Sequence, residues 1–441
     1  MFSDKDLQKL IVPLILEQIL VMLVGISDTV IVSHISEAAV AGVALVDILE
    51  YFIITVLAAV GTGGAVIISQ YLGRGDKQSA VLVSGQLVLI MVVFAAGIML
   101  SCCVFYKSIL TFLFASVEVE VMQAAETYFL ITICSIPFLG LYNALAAMFR
   151  SMRQTQVTLY AALLMNIVNI AGNLLVVFIW DAGVVGVAAA TLLARALSAL
   201  LLFYLAGSSK NIIRITYGDL LVWKQKIILQ IMRIAVPNGI ENGLFALGRV
   251  LVTGIVALFA TTQIAANSVA NSIDQIAIIV VNGVNIAMIT VVGQCIGADD
   301  YGQARLYTKK LMKISYWSTA VLGITVCLLL PVLLRFYGIS EETYDLTVNL
   351  VIIHNFTALL LHPTSFNLPN SLRAAGDVRF TMYTGISSML IFRLGTAVLL
   401  GVVLDLQIYG VWIAMVMDWL ARSVIFGYRY RGNKWQRFST I

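Results

Sequence analysis

Residues Leu7–Ile35 read LQKLIVPLILEQILVMLVGISDTVIVSHI. At about 1.5 Å of rise per residue the stretch is long enough to cross a bilayer, yet Pro13, Glu17 and Asp28 stand inside its apolar run. Glu17 follows Pro13 by four residues and Asp28 follows Glu17 by eleven, spacings that return to one helix face. An ionised carboxylate facing hydrocarbon is costly, so acids at this depth face a protein interior or a watered cavity. The stretch is therefore expected to be the first helix of an ion-coupled transporter, with Asp28 as its ion switch.

The rest of the chain has the composition this reading needs. Its 441 residues are 61% hydrophobic and 11% charged, with mean hydropathy +0.98. Soluble domains carry about 25% charged residues, so a polytopic membrane protein embedded in a lipid bilayer is expected. Twelve apolar runs lie near 10–33, 48–71, 82–105, 126–149, 158–180, 184–206, 230–258, 268–295, 311–334, 346–370, 380–403 and 407–428. The first is too long, and lacks the flanks, for a cleaved signal peptide. Cys102, Cys103, Cys134, Cys295 and Cys327 sit mostly in apolar runs without ligand spacing, so they read as small packing residues.

Basic residues set the orientation. With the N-terminus cytoplasmic, Arg74, Lys77, Arg150, Arg153, the 207–229 connection, Arg305 to Lys313, Arg373, Arg379 and the tail Arg429 to Arg437 all lie inside. Only Lys107 and Arg335 fall in outer loops, so both termini are expected to be cytoplasmic. The basic linker and tail then act as topology determinants, with no nucleic-acid partner.

The same connection divides a repeat. A shift of 224 residues brings Pro13 onto Pro237, Glu17 onto Glu241, Thr29 onto Thr253 and the loop QYLGRGDKQSA onto QCIGADDYGQA. A shift of 223 places Arg150 on Arg373 and Tyr160 on Tyr383. The expected fold is all-α, with twelve transmembrane helices in two six-helix lobes around a central cleft. Residues 1–207 form the N-terminal lobe, 208–229 a cytoplasmic linker and 230–441 the C-terminal lobe. Six is even, so the halves enter the membrane from the same side as parallel repeats, which suits alternating access.

Pro13 with SDTVIVSHI, the two Gln-x-x-Gly-x-x-Asp loops, LRAAGDVRF and the two halves together resemble the multidrug and toxic compound extrusion (MATE) transporters along the whole chain. The resemblance implies secondary active export of amphipathic organic compounds in exchange for H⁺ or Na⁺. It also implies a cation site in the N-terminal lobe at Asp28, Asn169, Asn173 and Thr191. The residues support that site independently. Asp28, Asn173 and Thr191 come to a common depth in the outer half of their helices, with Asn169 one turn deeper. Oxygen ligands of this kind suit a hard cation such as Na⁺, and a poorly hydrated acid can carry a proton instead. No other metal and no cofactor is expected, and a monomer is expected.

Other polar residues in the apolar runs are candidates for a substrate cavity. Asn166 shares the face of Asn169 and Asn173. Glu17 and Glu241 stand at equivalent shallow depths, and a solvated or capping role competes with a cavity or gate. Arg249, Arg195 and Arg393 need partners at membrane depth, expected from Glu241, Asp274 or Asp418, unless Arg249 and Arg393 bind an anionic substrate group. His354 is either a cavity or a structural residue. Pro237, Pro363, Pro369 and Gly61 are expected to kink or end helices around a cleft. The repeat mate of Asp28 is Val252, and the tenth run contains no acid, so the C-terminal lobe departs from relatives that carry a second carboxylate site there.

Two rival classes remain open. A lipid-linked oligosaccharide or other anionic-lipid flippase of the same superfold would use buried arginines, but would not need the Asp28, Asn169 and Asn173 set. An enzyme needs a clustered acid, base or metal set, whereas His34, His354 and His362 are scattered, and a channel needs no acid unique to one half.

Overall fold

The computed structural model describes residues 1–114, 117–216, 218–219, 222–438 and 441. Regular structure among them is entirely helical. Helix α1 spans Asp4–Val32, α2 Glu37–Arg74, α3 Lys77–Leu113, α4 Val119–Ile133, α5 Ile136–Ser151, α6 Thr155–Phe178 and α7 Gly183–Ala206. Helix α8 spans Gln225–Val256, α9 Thr261–Gly297, α10 Tyr301–Arg335, α11 Glu341–Phe366, α12 Leu368–Ala374, α13 Val378–Ser387 and α14 Gln407–Arg431. Among the described residues eleven spans are long and apolar enough to cross a membrane, and twelve if the bent pair α4–α5 is counted as one span.

Caps and breaks follow from local chemistry. Ser3 and Asp6 form a reciprocal capping box that starts α1: the Asp6 amide donates to Ser3 Oγ at 3.2 Å and the Ser3 amide to Asp6 Oδ2 at 2.9 Å. The apolar run 126–149, continuous in sequence, is two helices that bend by 48°. The break falls at Cys134 and Ser135, where Pro137 opens α5 without an amide to donate and Ser135 Oγ bonds the Thr132 carbonyl at 2.5 Å. Pro369 likewise opens the short α12, whereas Pro13, Pro237 and Pro363 stand inside longer helices.

The repeated loops prove to be helix junctions. Asp76 caps α3 by accepting from the Ser79 amide at 3.0 Å, and Asp300 caps α10 by accepting from the Gln303 amide at 2.9 Å. Hydrogen bonds from Ser79 hold the Asp76 carboxyl below the usual carboxylate range. One residue earlier the backbone turns left-handed in both copies, at Gly75 (φ 81°) and Asp299 (φ 57°).

Beyond α13 the span continues as π-helix over Ser388–Gly395 and Val398–Val403. The repeat shows why. Tyr160 and Tyr383 are related by 223 residues, but Gly186 packs on Val176 as Gly410 packs on Leu400, a relation of 224. One extra residue therefore enters the second copy between Tyr383 and Leu400, and wide π turns absorb such an insertion within a continuous helix.

The chain divides into two compact units, Phe2–Gly239 and Ile240–Ile441, with Met1 counted in the second. The division falls inside α8 because its first half packs on the N-terminal unit. A Cβ on Gly63 of α2 would lie 2.8 Å from the Ile231 carbonyl and 3.0 Å from Ala235 Cβ. Gln86 of α3 also holds the preceding segment, accepting from the Lys224 amide at 2.7 Å and donating to the Val222 carbonyl at 2.5 Å. The C-terminal unit has an apolar core that contains Ile273, Val351, Trp412, Trp419 and Val252, the residue related to Asp28 by the repeat.

Candidate functional site

Helices α1 and α6 run side by side in one register. Thr155 Oγ1 donates to the Leu10 carbonyl at 3.1 Å, Thr158 Oγ1 to Glu17 Oε2 at 3.1 Å and Asn173 Nδ2 to Asp28 Oδ1 at 2.7 Å. The first and last contacts both span 145 residues, as expected for parallel helices of equal rise. Helix α7 joins α6 through small residues. A Cβ on Gly172 would come within 2.9 Å of Ala190 Cβ, and one on Gly186 within 2.6 Å of Val176 Cβ. Backbones this close let short polar side chains reach across.

The four residues expected at the cation site form one connected chain. Asn173 Nδ2, besides holding Asp28, lies 3.3 Å from Asn169 Oδ1, and Asn169 Nδ2 donates to Thr191 Oγ1 at 3.1 Å. Thr191 in turn donates to its own Val187 carbonyl at 3.1 Å. Asn169, Asn173 and Thr191 are buried, and Asp28 is half-buried at the end of the chain. Asn173 Oδ1 is buried without a hydrogen-bond partner. A carboxylate, a free amide oxygen and a hydroxyl together suit either a small hard cation or a proton on the carboxyl. Asn166 stands apart, with its amide donating to the Ala162 carbonyl at 2.8 Å.

Asp28 also interacts electrostatically with Arg195 of α7, singled out in the sequence, and with Asp47 and Glu50 of α2, which sequence reading missed. Arg195 donates to Glu50 Oε2 at 2.7 Å and to Ser135 Oγ at 2.7 Å, and Glu50 is buried. The available signal was two acids three residues apart at the edge of the second apolar run. Helix α2 starts at Glu37, well before that run, so both acids lie on it.

The remaining polar candidates have different partners from those expected. Glu17 is buried and ion-paired with Arg150 of α5, and its repeat mate Glu241 is buried and paired with Arg373 of α12 at 2.7 Å. Asp274 of α9 faces His354 of α11 at 3.2 Å, and the histidine ring packs edge-on against Trp412 and Trp419. Asp418 takes Arg422 at 2.9 Å. Glu241, Asp274 and Asp418 are therefore occupied by residues other than Arg195, Arg249 and Arg393. The Arg249 side chain has no hydrogen bond or ion pair among the described residues.

The comparisons with known proteins agree with this architecture. An uncharacterised transporter, YisQ of Bacillus subtilis, is 26% identical over 430 residues, covering 96% of this chain and 93% of that protein. A probable multidrug resistance protein NorM of Thermotoga maritima is 24% identical and covers 99% of this chain and 94% of its own length. Among solved structures, a multidrug resistance MATE family transporter of the MOP superfamily in an outward-facing conformation superposes with a TM-score of 0.91 at 19% identity, covering 98% of this chain and 97% of that one. The model of one family, MatE, matches twice, over residues 13–175 and 237–399, copies that start at Pro13 and Pro237 and stand 224 residues apart. With two copies of that unit, at the offset carried by its own repeat, the chain belongs to the MatE family of membrane transporters.

Proposed function

We propose that the chain is a secondary active exporter of amphipathic compounds, driven by H⁺ or Na⁺ acting at Asp28 and working by alternating access of its two halves. The NorM relatives are described as probable multidrug resistance proteins, and those of Thermotoga maritima and Bacillus subtilis match over 99% and 95% of this chain. The observation that carries the coupling is the connected chain Asp28–Asn173–Asn169–Thr191 with its unpartnered Asn173 oxygen. A cation on these oxygens, or a proton on Asp28, cancels a charge at membrane depth and so favours a state with lower substrate affinity. Coupling is as large as the difference in affinity between the two conformations for each ligand. In this reading both termini are cytoplasmic, the protein resides in the cell membrane and it works as a monomer.

The test is efflux from vesicles that contain the purified protein, driven first by a Na⁺ gradient alone and then by a pH gradient alone. Asp28→Asn is expected to insert and fold normally and to lose ion-driven efflux under whichever gradient drives the native protein. Undiminished efflux in that variant overturns the coupling role.

A further inference from the structure

We propose that the C-terminal unit binds an anionic group of the transported molecule through Arg249 and Arg393. The proposal rests on the transporter reading above and adds the charge of its substrate. Arg393 lies in the π-helical segment Ser388–Gly395, is half-buried, and has a buried Nε without a hydrogen-bond partner. Arg249 lies on the exposed side of α8. The two helices touch beside these residues, since a Cβ on Gly248 would lie 2.8 Å from Met389 Cγ. Both guanidiniums therefore issue from one helix contact, and they act on each other as like charges.

The charges around them do not balance. Arg393 has Asp418 as its interacting carboxylate, with Arg249 and Arg422 acting on it as like charges. That carboxylate already accepts from Arg422 Nε at 2.9 Å and from Ser388 Oγ, and the adjacent Glu241 is held by Arg373 at 2.7 Å. Among the described residues the side chains of Arg249 and Arg393 make no hydrogen bond or ion pair, and both stand in membrane-spanning segments, where an unpaired cation is costly. In the N-terminal unit the excess is of acids: Asp28, Asp47 and Glu50 interact with Arg195, which donates to Glu50 at 2.7 Å. The offset of 224 that relates Val176 to Leu400 places Arg393 at the position of Asn169. The repeat has thus become a cation-seeking half and an anion-seeking half. A carboxylate, sulfonate or phosphate supplies the missing charge and matches the forked donors of a guanidinium. A π-helical segment is a frequent location for such a site because it turns a side chain out of the usual helical register.

The test uses the purified chain in phosphatidylcholine nanodiscs without any ion gradient. Binding of fluorescein, an anionic amphipath, and ethidium, a cationic one, is followed by fluorescence anisotropy. The native protein is expected to bind fluorescein saturably, and Arg393→Gln and Arg249→Gln each to weaken it at least about tenfold, or about 1.4 kcal/mol. Arg393→Lys should retain part of the affinity, and ethidium binding should not change. Should Arg393→Gln fail to fold, Arg249→Gln, at an exposed position, carries the test. Absence of saturable fluorescein binding in the native protein, or unchanged affinity in the glutamine variants, overturns the proposal. Competition on adding phosphatidylglycerol to the nanodiscs would identify a lipid headgroup as a source of the anion, and no competition a soluble substrate. A failed binding test alongside intact gradient-driven efflux removes the anion site and leaves the exporter reading standing.

Discussion

Arg373 donates to Glu241 at 2.7 Å within the C-terminal unit, and Arg150 makes the same ion pair with Glu17 in the N-terminal unit. Each pair ties the first span of its half to the end of the fourth. All four side chains are largely shielded, which makes removal of one partner more damaging than removal of both.

The first prediction follows from that asymmetry. Arg373→Met leaves Glu241 buried and unpaired and should cost about 3–5 kcal/mol of stability. Adding Glu241→Gln to it should restore much of the loss. Thermal unfolding of the detergent-solubilised variants measures both, and a double variant no more stable than the single one would contradict the pairing as the source of the effect.

The second prediction concerns the two loop copies. Left-handed backbone costs an L-residue roughly 1–2 kcal/mol, less for Asp or Asn, and nothing comparable for glycine. Gly75 meets this demand at φ 81°, whereas Asp299 meets it with a side chain at φ 57°. Asp299→Gly is therefore expected to stabilise the protein by roughly 0.5–1 kcal/mol, and Gly75→Ala to destabilise it by roughly 1–2 kcal/mol. A lower unfolding midpoint for Asp299→Gly would show that its side chain contributes more than its backbone costs.

The repeat, the twelve spans and the polar chain on α1, α6 and α7 were legible in the sequence for one physical reason. Polar residues are rare in membrane helices, so their helical spacing stands out, as with Asn166, Asn169 and Asn173. Pairing between helices leaves no such period. Glu50 and Arg195 meet across 145 residues, and nothing in either segment points to the other, so Arg195 was expected to pair with Glu241, Asp274 or Asp418. The bend at Ser135 was hidden because both arms are apolar, leaving Pro137 as the sole sign. The π-helix was present in the sequence only as the change of repeat offset from 223 to 224, which has structural meaning once Gly186–Val176 and Gly410–Leu400 are seen to be equivalent contacts.

A third prediction uses the way the two halves partner the same buried acid. The offset of 224 relates Glu50 to Asp274 and Arg195 to Trp419. In the N-terminal unit the arginine holds the acid. In the C-terminal unit a tryptophan stands there instead, and His354 approaches Asp274 at 3.2 Å with its ring 5.2 Å from that of Trp419. His354→Leu should therefore destabilise the protein by about 1–3 kcal/mol, the cost of a buried polar group without its neighbour. Adding Trp419→Arg rebuilds the arrangement of the first half and should recover part of the loss in thermal unfolding. Further destabilisation would show that the tryptophan packs in a way the arginine cannot replace.

The last prediction separates the roles within the polar chain. Asn173 touches Asp28 directly at 2.7 Å, while Thr191 reaches it only through Asn169 and Asn173. Asn173→Leu removes both the donor that holds Asp28 and the unpartnered amide oxygen, so ion-driven efflux should fall at least tenfold. Thr191→Val removes one hydrogen bond at the far end, worth about 0.6 kcal/mol between membrane helices, and should lower ion affinity only a few-fold. Raising the ion concentration should then restore efflux in Thr191→Val but not in Asn173→Leu, because only the second variant has lost the group that holds the carboxylate. Efflux measured against ion concentration distinguishes the two. Equal behaviour of the variants would mean that the chain of hydrogen bonds holds α6 and α7 together without organising the carboxylate.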